Sequence, residues 1–112
     1  MDKRNQELQK LDQKSAIELA RKYLAYLKLK NIDVQKAFIY GSYAKNNYQK
    51  DSDIDLAIVL KNLSNSFLMQ VELMILSRKI DTRIEPHPYD ESDFNTSNSS
   101  ANEILKQGIA VL

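Results

Sequence analysis

Asp53-Ile54-Asp55-Leu56-Ala57-Ile58-Val59-Leu60 is the stretch from which the fold can be read. Side chains alternate across a strand, so Ile54, Leu56, Ile58 and Leu60 share one face. Asp53, Asp55, Ala57 and Val59 share the other. Four large aliphatic residues in a row require a core beneath them. On the opposite face, two carboxylates stand roughly 7 Å apart along the strand, and their repulsion adds nothing to its stability. Two readings stand at this point. One is a solvated strand start, where acids are common; the other is a pair of hard oxygen donors suited to Mg²⁺ or Mn²⁺.

The flanking segments build outward from this strand. Val34–Tyr40 ends in the apolar run Ala-Phe-Ile-Tyr before Gly41 and reads as a second buried strand. Ser42–Asn47 suits one or two helical turns, and Tyr48–Ser52 is a polar connection. Asn62–Ser66 is a turn. Phe67, Val71, Met74, Ile75 and Arg78 then recur at helical spacing, giving a helix through about Lys79. Arg83–His87 reads as a strand whose Pro86 and Pro88 suit a strand end or sheet edge. Asp90–Phe94 suits a turn of helix and Asn95–Ser100 a loop. A short helix through Ile104 and Leu105 stops at Gly108, before a final strand over Ile109–Leu112.

Residues 1–14 are polar apart from Leu8 and Leu11, and either extend the following helix or fray. Ser15 with Glu18 three positions on forms a capping box. Ile17, Ala20, Leu24 and Leu27 make a buried helical stripe, Tyr23 and Tyr26 a flanking, exposed ridge, and Asn31 the stop. The resulting order of elements implies one α/β (α+β) domain over 1–112, a mixed sheet flanked by helices.

Composition narrows the function classes. At 112 residues there is room for one core, and 43% apolar content suits a globular chain. Sixteen basic against fifteen acidic residues leave a formal charge of +1, which does not suggest a nucleic-acid partner. Without cysteine there is no disulfide, thiolate nucleophile or Cys-bound zinc. The N-terminus opens no signal-peptide segment, and no run nears the roughly 20 apolar residues that span a bilayer. A cytoplasmic protein without membrane attachment is expected.

Gly41-Ser42 follows an apolar strand directly. Glycine lets the backbone approach a phosphate, N–H groups at a helical start favour an anion, and Ser42 adds a hydroxyl; a plain turn is the competing reading. Asp51-Ser52-Asp53-Ile54-Asp55 also looks like the start of a calcium loop, but its sixth position is Leu56 and its twelfth Asn62, where glycine and an acid are required.

Taken together, Gly41-Ser42-Tyr43-Ala44-Lys45 and, ten residues after Ser42, Asp53-Ile54-Asp55 resemble the polymerase-β-type nucleotidyltransferases, particularly their minimal, stand-alone group. The resemblance runs from about Val34 to Tyr89, with the Gly108-Ile109 ending also of the expected type. It implies that Gly41 and Ser42 hold the triphosphate of ATP or another NTP, with Lys45, where relatives often carry arginine, touching phosphate or simply solvated. It further implies that Asp53 and Asp55 bind two Mg²⁺ or Mn²⁺ ions and that a third acid completes the site. Glu85 in Ile84-Glu85-Pro86 fits that acid; Asp81 is the rival, and the one not used supports the site or pairs with Arg83. His87, two residues past Glu85, either lies near substrate or is an ordinary hydrogen-bonded histidine. Asn46 stands where glycine is usual, and asparagine tolerates the same left-handed turn.

The function so implied is metal-dependent transfer of NMP, AMP from ATP, to a hydroxyl. The chain has no residues left for the helical acceptor domain of larger relatives. Minimal nucleotidyltransferases commonly work beside a separate HEPN protein as a toxin–antitoxin pair, and the resemblance implies that this chain is the antitoxin and modifies a toxin tyrosine. The alternatives are a non-catalytic module that neutralises a helical partner, or a transferase acting on RNA or a small molecule.

Overall fold

A computed structural model describes residues 11–112, and the helix-or-fray reading of positions 1–10 lies outside the described residues. The elements run α1 (Gln13–Leu29), β1 (Val34–Tyr40), β2 (Ile54–Leu60), α2 (Ser66–Ser77), β3 (Ile84–Asp90), a single 3₁₀ turn (Glu91–Asp93), α3 (Ser99–Gln107) and β4 (Ile109–Ala110). The four strands form one sheet in the order β3-β2-β1-β4. β1 is antiparallel to β2 and to β4, whereas β2 and β3 are parallel, joined through α2. The sheet is mixed, and the α/β (α+β) class expected from the element order is what the chain adopts.

β2 lies between β3 and β1, and helices cover both of its faces. Ile54, Leu56, Ile58 and Leu60 sink into the larger core with Ala16, Ala20, Tyr23, Leu24 and Leu27 of α1 and Leu73 of α2. On the reverse side, Ala57 and Val59 pack with Phe94 and with Ala101 and Ile104 of α3. α3 covers only the later part of β2. The Asp53–Asp55 end is left open.

Several local expectations are corrected. α1 is capped by Asp12, whose carboxylate accepts from Ser15 N, so the helix begins three residues before the Ser15 capping box would start it. A carboxylate at the first turn both satisfies a free N–H and meets the helix dipole. Tyr23 is no exposed ridge: it is fully buried, and its hydroxyl donates to Leu73 O at 2.7 Å, fastening α1 to α2. Asn31 does take the left-handed conformation, φ 63°, just past the helix end.

The 42–47 segment stays a succession of turns rather than a helix. β3 runs three residues beyond His87, with both prolines inside an edge strand; Pro86 turns its carbonyl to Gln70 Nε2 of α2. α3 takes Ser99 and Ser100 from the expected loop, with Asn98 as its cap, and β4 is only two residues long.

The largest departure concerns α2. The stripe Phe67, Val71, Ile75 and Arg78 faces outward, while Leu73 and Ser77 are buried and Met69 and Leu76 pack at the core's margin. Two sets of apolar residues on this helix follow helical spacing, and the sheet has room beneath it for only one.

Candidate active site

Register assembles the site. Tyr40 of β1 stands opposite Asp55 of β2, and Asp55 stands beside Glu85 of β3. The three side chains therefore form one row across three strands, on the sheet face away from α1 and α2. The next row is Phe38, Ala57 and His87. From it the His87 imidazole reaches back, its Nε2 4.0 Å from Asp55 Oδ1. Tyr40 and His87 lie with ring centroids 5.9 Å apart.

The turn after β1 closes against this row. Gly41 has φ 74°, and a Cβ on it would collide with Asp55 Oδ2, so both the backbone conformation and the approach of the carboxylate require glycine. Lys45 N donates to Gly41 O at 3.1 Å and Asn47 N to Ser42 O at 3.0 Å, winding the turn tightly. Asn46 takes φ 59°, the left-handed geometry that a glycine would otherwise supply. Ser42 is half-buried and Lys45 exposed; Lys45 lines a small groove of about 170 Å³ with Tyr40, Gly41, Glu103 and Gln107.

Charge is concentrated along the row. Burial raises the Asp55 carboxyl above its ordinary pKa; His87 opposes the shift, and the charges of Asp53 and Glu85 add to it. The Tyr40 hydroxyl is pushed up strongly, first by burial and then by Asp55, Tyr89 and Glu85. Both shifts come first from burial, and the neighbouring carboxylates add to them. Among the described residues, the side chains as they lie form no cluster of three or more His, Cys, Asp or Glu able to hold a metal ion. In chemical kind, the donors do fit one: Asp55, Glu85 and the exposed Asp53 offer carboxylate oxygens at the open end of two parallel strands.

Asp81 is not part of the row. It precedes β3 and takes Arg83 in a bidentate pair, with Nε to Oδ1 at 2.9 Å and Nη2 to Oδ2 at 2.8 Å, so it is the acid that pairs with Arg83. Those hydrogen bonds hold its carboxyl below the usual range against the effect of burial. Tyr40 is the member of the row that the sequence did not single out. Its place opposite Asp55 depends on the β1–β2 register, for which a lone tyrosine before Gly41 gives no signal.

A concavity of about 720 Å³ lies elsewhere, between the 30–33 and 60–65 loops and α2. Asp33 and Glu72 are the acids of its lining, whereas Asp55 and Glu85 are neighbours across two paired strands and Asp53 directly precedes the first of them, so the candidate site is placed by the donors and not by volume.

The family model for "Polymerase beta, Nucleotidyltransferase" matches residues 21–112. The chain belongs to that nucleotidyltransferase family. Its members generally use divalent metal ions and nucleoside triphosphates. Among curated protein sequences none matches the chain. Two solved structures share the fold of this nucleotidyltransferase domain. One is a protein from Sulfolobus solfataricus that carries the provisional description of nucleotidyltransferase. Its TM-score is 0.61 at 22% identity, over 88% of this chain and 80% of that one. The other is a mutant of the toxin–antitoxin MntA-HpeT, with a TM-score of 0.51 at 17% identity, over 91% of this chain and 73% of that one. Among the described residues, no helix is long and apolar enough to cross a membrane.

Proposed function

We propose that this nucleotidyltransferase moves AMP from ATP to a hydroxyl on a helical protein partner of HEPN type, a tyrosine of the toxin, and so acts as the antitoxin of a pair. One observation carries the enzyme reading: Asp55 and Glu85 stand side by side on parallel strands, against a glycine whose missing Cβ leaves room for the Asp55 carboxylate. The partner reading draws support from the likeness to a toxin–antitoxin structure. The near-neutral charge speaks for a protein acceptor over RNA.

In this reading the acceptor oxygen attacks the α-phosphorus, the bond to the bridging oxygen of the β-phosphate breaks, and pyrophosphate leaves. Gly41 and Ser42 bind the phosphate tail, since glycine lets the backbone approach a phosphate closely and the Ser42 hydroxyl can donate to it. Lys45 adds a positive charge beside them. Asp53, Asp55 and Glu85 are the residues that would hold Mg²⁺ or Mn²⁺. Two such ions would supply charge neutralisation on the leaving pyrophosphate and acidify the attacking hydroxyl. Glu85 lies next to Asp55 at the sheet edge and accepts the hydroxyl proton.

The test is to incubate the purified chain with α-labelled ATP, Mg²⁺ and the product of the adjacent gene. Label on the partner that disappears with Asp55→Asn is expected. An unlabelled partner, with folded wild-type protein and metal supplied, would sink the proposal. The Asp53→Asn, Asp55→Asn double variant separates catalysis from the non-catalytic alternative, because neutralisation that survives it unaltered belongs to binding alone.

A further inference from the structure

Between β1 and β2 the chain crosses residues 41–53 without forming a helix or a strand, and within that stretch Tyr43 alone is buried. Its side chain belongs to the larger core, which also holds Ile54 and Ile84, the first residues of β2 and β3. Its ring stacks on Tyr48, with centroids 4.6 Å apart and planes 13° from parallel. Its carbonyl accepts from Gln13 Nε2, on the first residue of α1, at 2.8 Å. An otherwise irregular segment is thus pinned to the rest of the fold at one residue.

That residue directly follows Gly41-Ser42. The hydrogen bonds from Lys45 N to Gly41 O and from Asn47 N to Ser42 O close within the turn. They fix its shape and leave its distance from β2 to other contacts. The distance matters, because Gly41 lies so close to Asp55 that a Cβ would strike the carboxylate. A nucleotide that uses both the turn and the acids meets them at one spacing, and a displacement of about 1 Å in such a site can cost on the order of 100-fold.

The acid-bearing strands are fastened on the same side. Arg83 O accepts from Ile54 N at 2.7 Å, joining the entrances of β2 and β3, and the Arg83 guanidinium is held by Asp81. Burial pushes the Tyr43 hydroxyl up and the Arg83 charge opposes that rise, which sets the guanidinium near the ring. The hydroxyl itself has no hydrogen-bond partner among the described residues. What the position uses is therefore the flat ring, which leucine would replace in volume but not in its stack on Tyr48.

We infer that Tyr43, stacked on Tyr48, is the positioning residue that holds Gly41-Ser42 at the spacing from Asp55 and Glu85 that one nucleoside triphosphate spans. The inference rests on the proposed phosphate role of Gly41 and Ser42 and is independent of the acceptor.

The chain has two glycines, Gly41 and Gly108, so labelling with ¹⁵N-glycine gives two amide resonances, one of them in the turn. The test titrates the chain with α,β-methylene-ATP and Mg²⁺, reading these resonances and, by calorimetry, the affinity. In wild type the analogue should shift the Gly41 resonance and leave that of Gly108 in place. Tyr43→Leu should displace the Gly41 resonance before any ligand is added and weaken binding about 10-fold, whereas Tyr43→Phe should match wild type in both. Tyr48→Ala, at a half-buried position, should give the same result as Tyr43→Leu and stands in should that variant fold poorly. Leu27→Ala, a buried change at the far end of α1, should lose stability and keep both readouts. Wild-type affinity in Tyr43→Leu and Tyr48→Ala overturns the inference, as does an equal loss of affinity in Leu27→Ala. A wild-type chain that does not bind the analogue removes the phosphate role of the turn and the inference with it. Tyr43-dependent binding without label on the partner would instead remove the proposed transfer and leave the role of Tyr43 standing.

Discussion

The two faces of β2 are built from the same eight-residue stretch and solve opposite problems. On one, Ile54, Leu56 and Ile58 are fully buried beneath α1 and α2, where each methylene removed from water favours the fold. On the other, Asp55 is held half-buried beside Glu85 at a raised pKa, a state that costs stability while the carboxyl is ionised. The difference teaches that the covered face secures the site. A strand can hold like charges together at one end only because its reverse side is anchored along its whole length.

Changes on the two faces should therefore separate stability from activity. Asp55→Asn has the largest effect expected: labelled transfer falls by about 10³-fold or more, because several kcal/mol of transition-state charge stabilisation is lost. The same variant should unfold at higher temperature, with a gain of about 0.5–2 kcal/mol at neutral pH. The sign follows from the raised folded pKa: a protonated or neutral group suits the folded state, so the variant's advantage shrinks as pH falls through the Asp55 pKa. A destabilised Asp55→Asn in calorimetry would break the comparison.

On the covered face, Ile58→Ala should cost about 2–5 kcal/mol in denaturant unfolding. Transfer per folded molecule should remain close to wild type. Activity lost in step with the Asp55 variant would show that the faces are not separable.

Two tyrosines sharpen the contrast within the covered core. Tyr23→Phe removes the hydroxyl that ties α1 to Leu73 O and should lose about 0.5–1.5 kcal/mol. Tyr43 is equally buried, yet its hydroxyl has no hydrogen-bond partner among the described residues, so Tyr43→Phe should be neutral or slightly stabilising in the same assay.

Asp81 supplies the smallest effect and a control of opposite sign to Asp55. Its folded pKa is depressed by Arg83, so its contribution is present above the ordinary carboxylate pKa of 3.8 and is lost as pH falls through the lower folded value. Unfolding of Asp81→Asn should show a deficit against wild type at pH 7 that closes in that acid range. A deficit independent of pH would mean that the Asp81–Arg83 pair acts through packing and not charge.

Much of this molecule is legible in the chain because alternation and punctuation are local. β1 is bounded by the expected residues because an apolar run meets Gly41, and β2 follows the expected alternation, beginning at Ile54, one residue later than expected, and ending at Leu60. Gly41 and Asn46 declare their positive φ by residue type, since few side chains tolerate it. The spacing of Gly41-Ser42 and Asp53-Ile54-Asp55 pointed to the family whose model then matched residues 21–112. α2 was legible as a helix but not as a surface, because apolar residues on both its sides obey the same period.

By itself, then, the sequence determined the elements, their turns and the residues carrying charge, all of which follow from contacts a few positions apart. Only the tertiary structure decided that Tyr40, Asp55 and Glu85 share a row, that Asp81 turns to Arg83, that Tyr23 is buried and that Phe67, Val71 and Ile75 are not. Those outcomes depend on register and on which helix face finds the sheet. They are set by the competition of distant segments for one limited apolar surface.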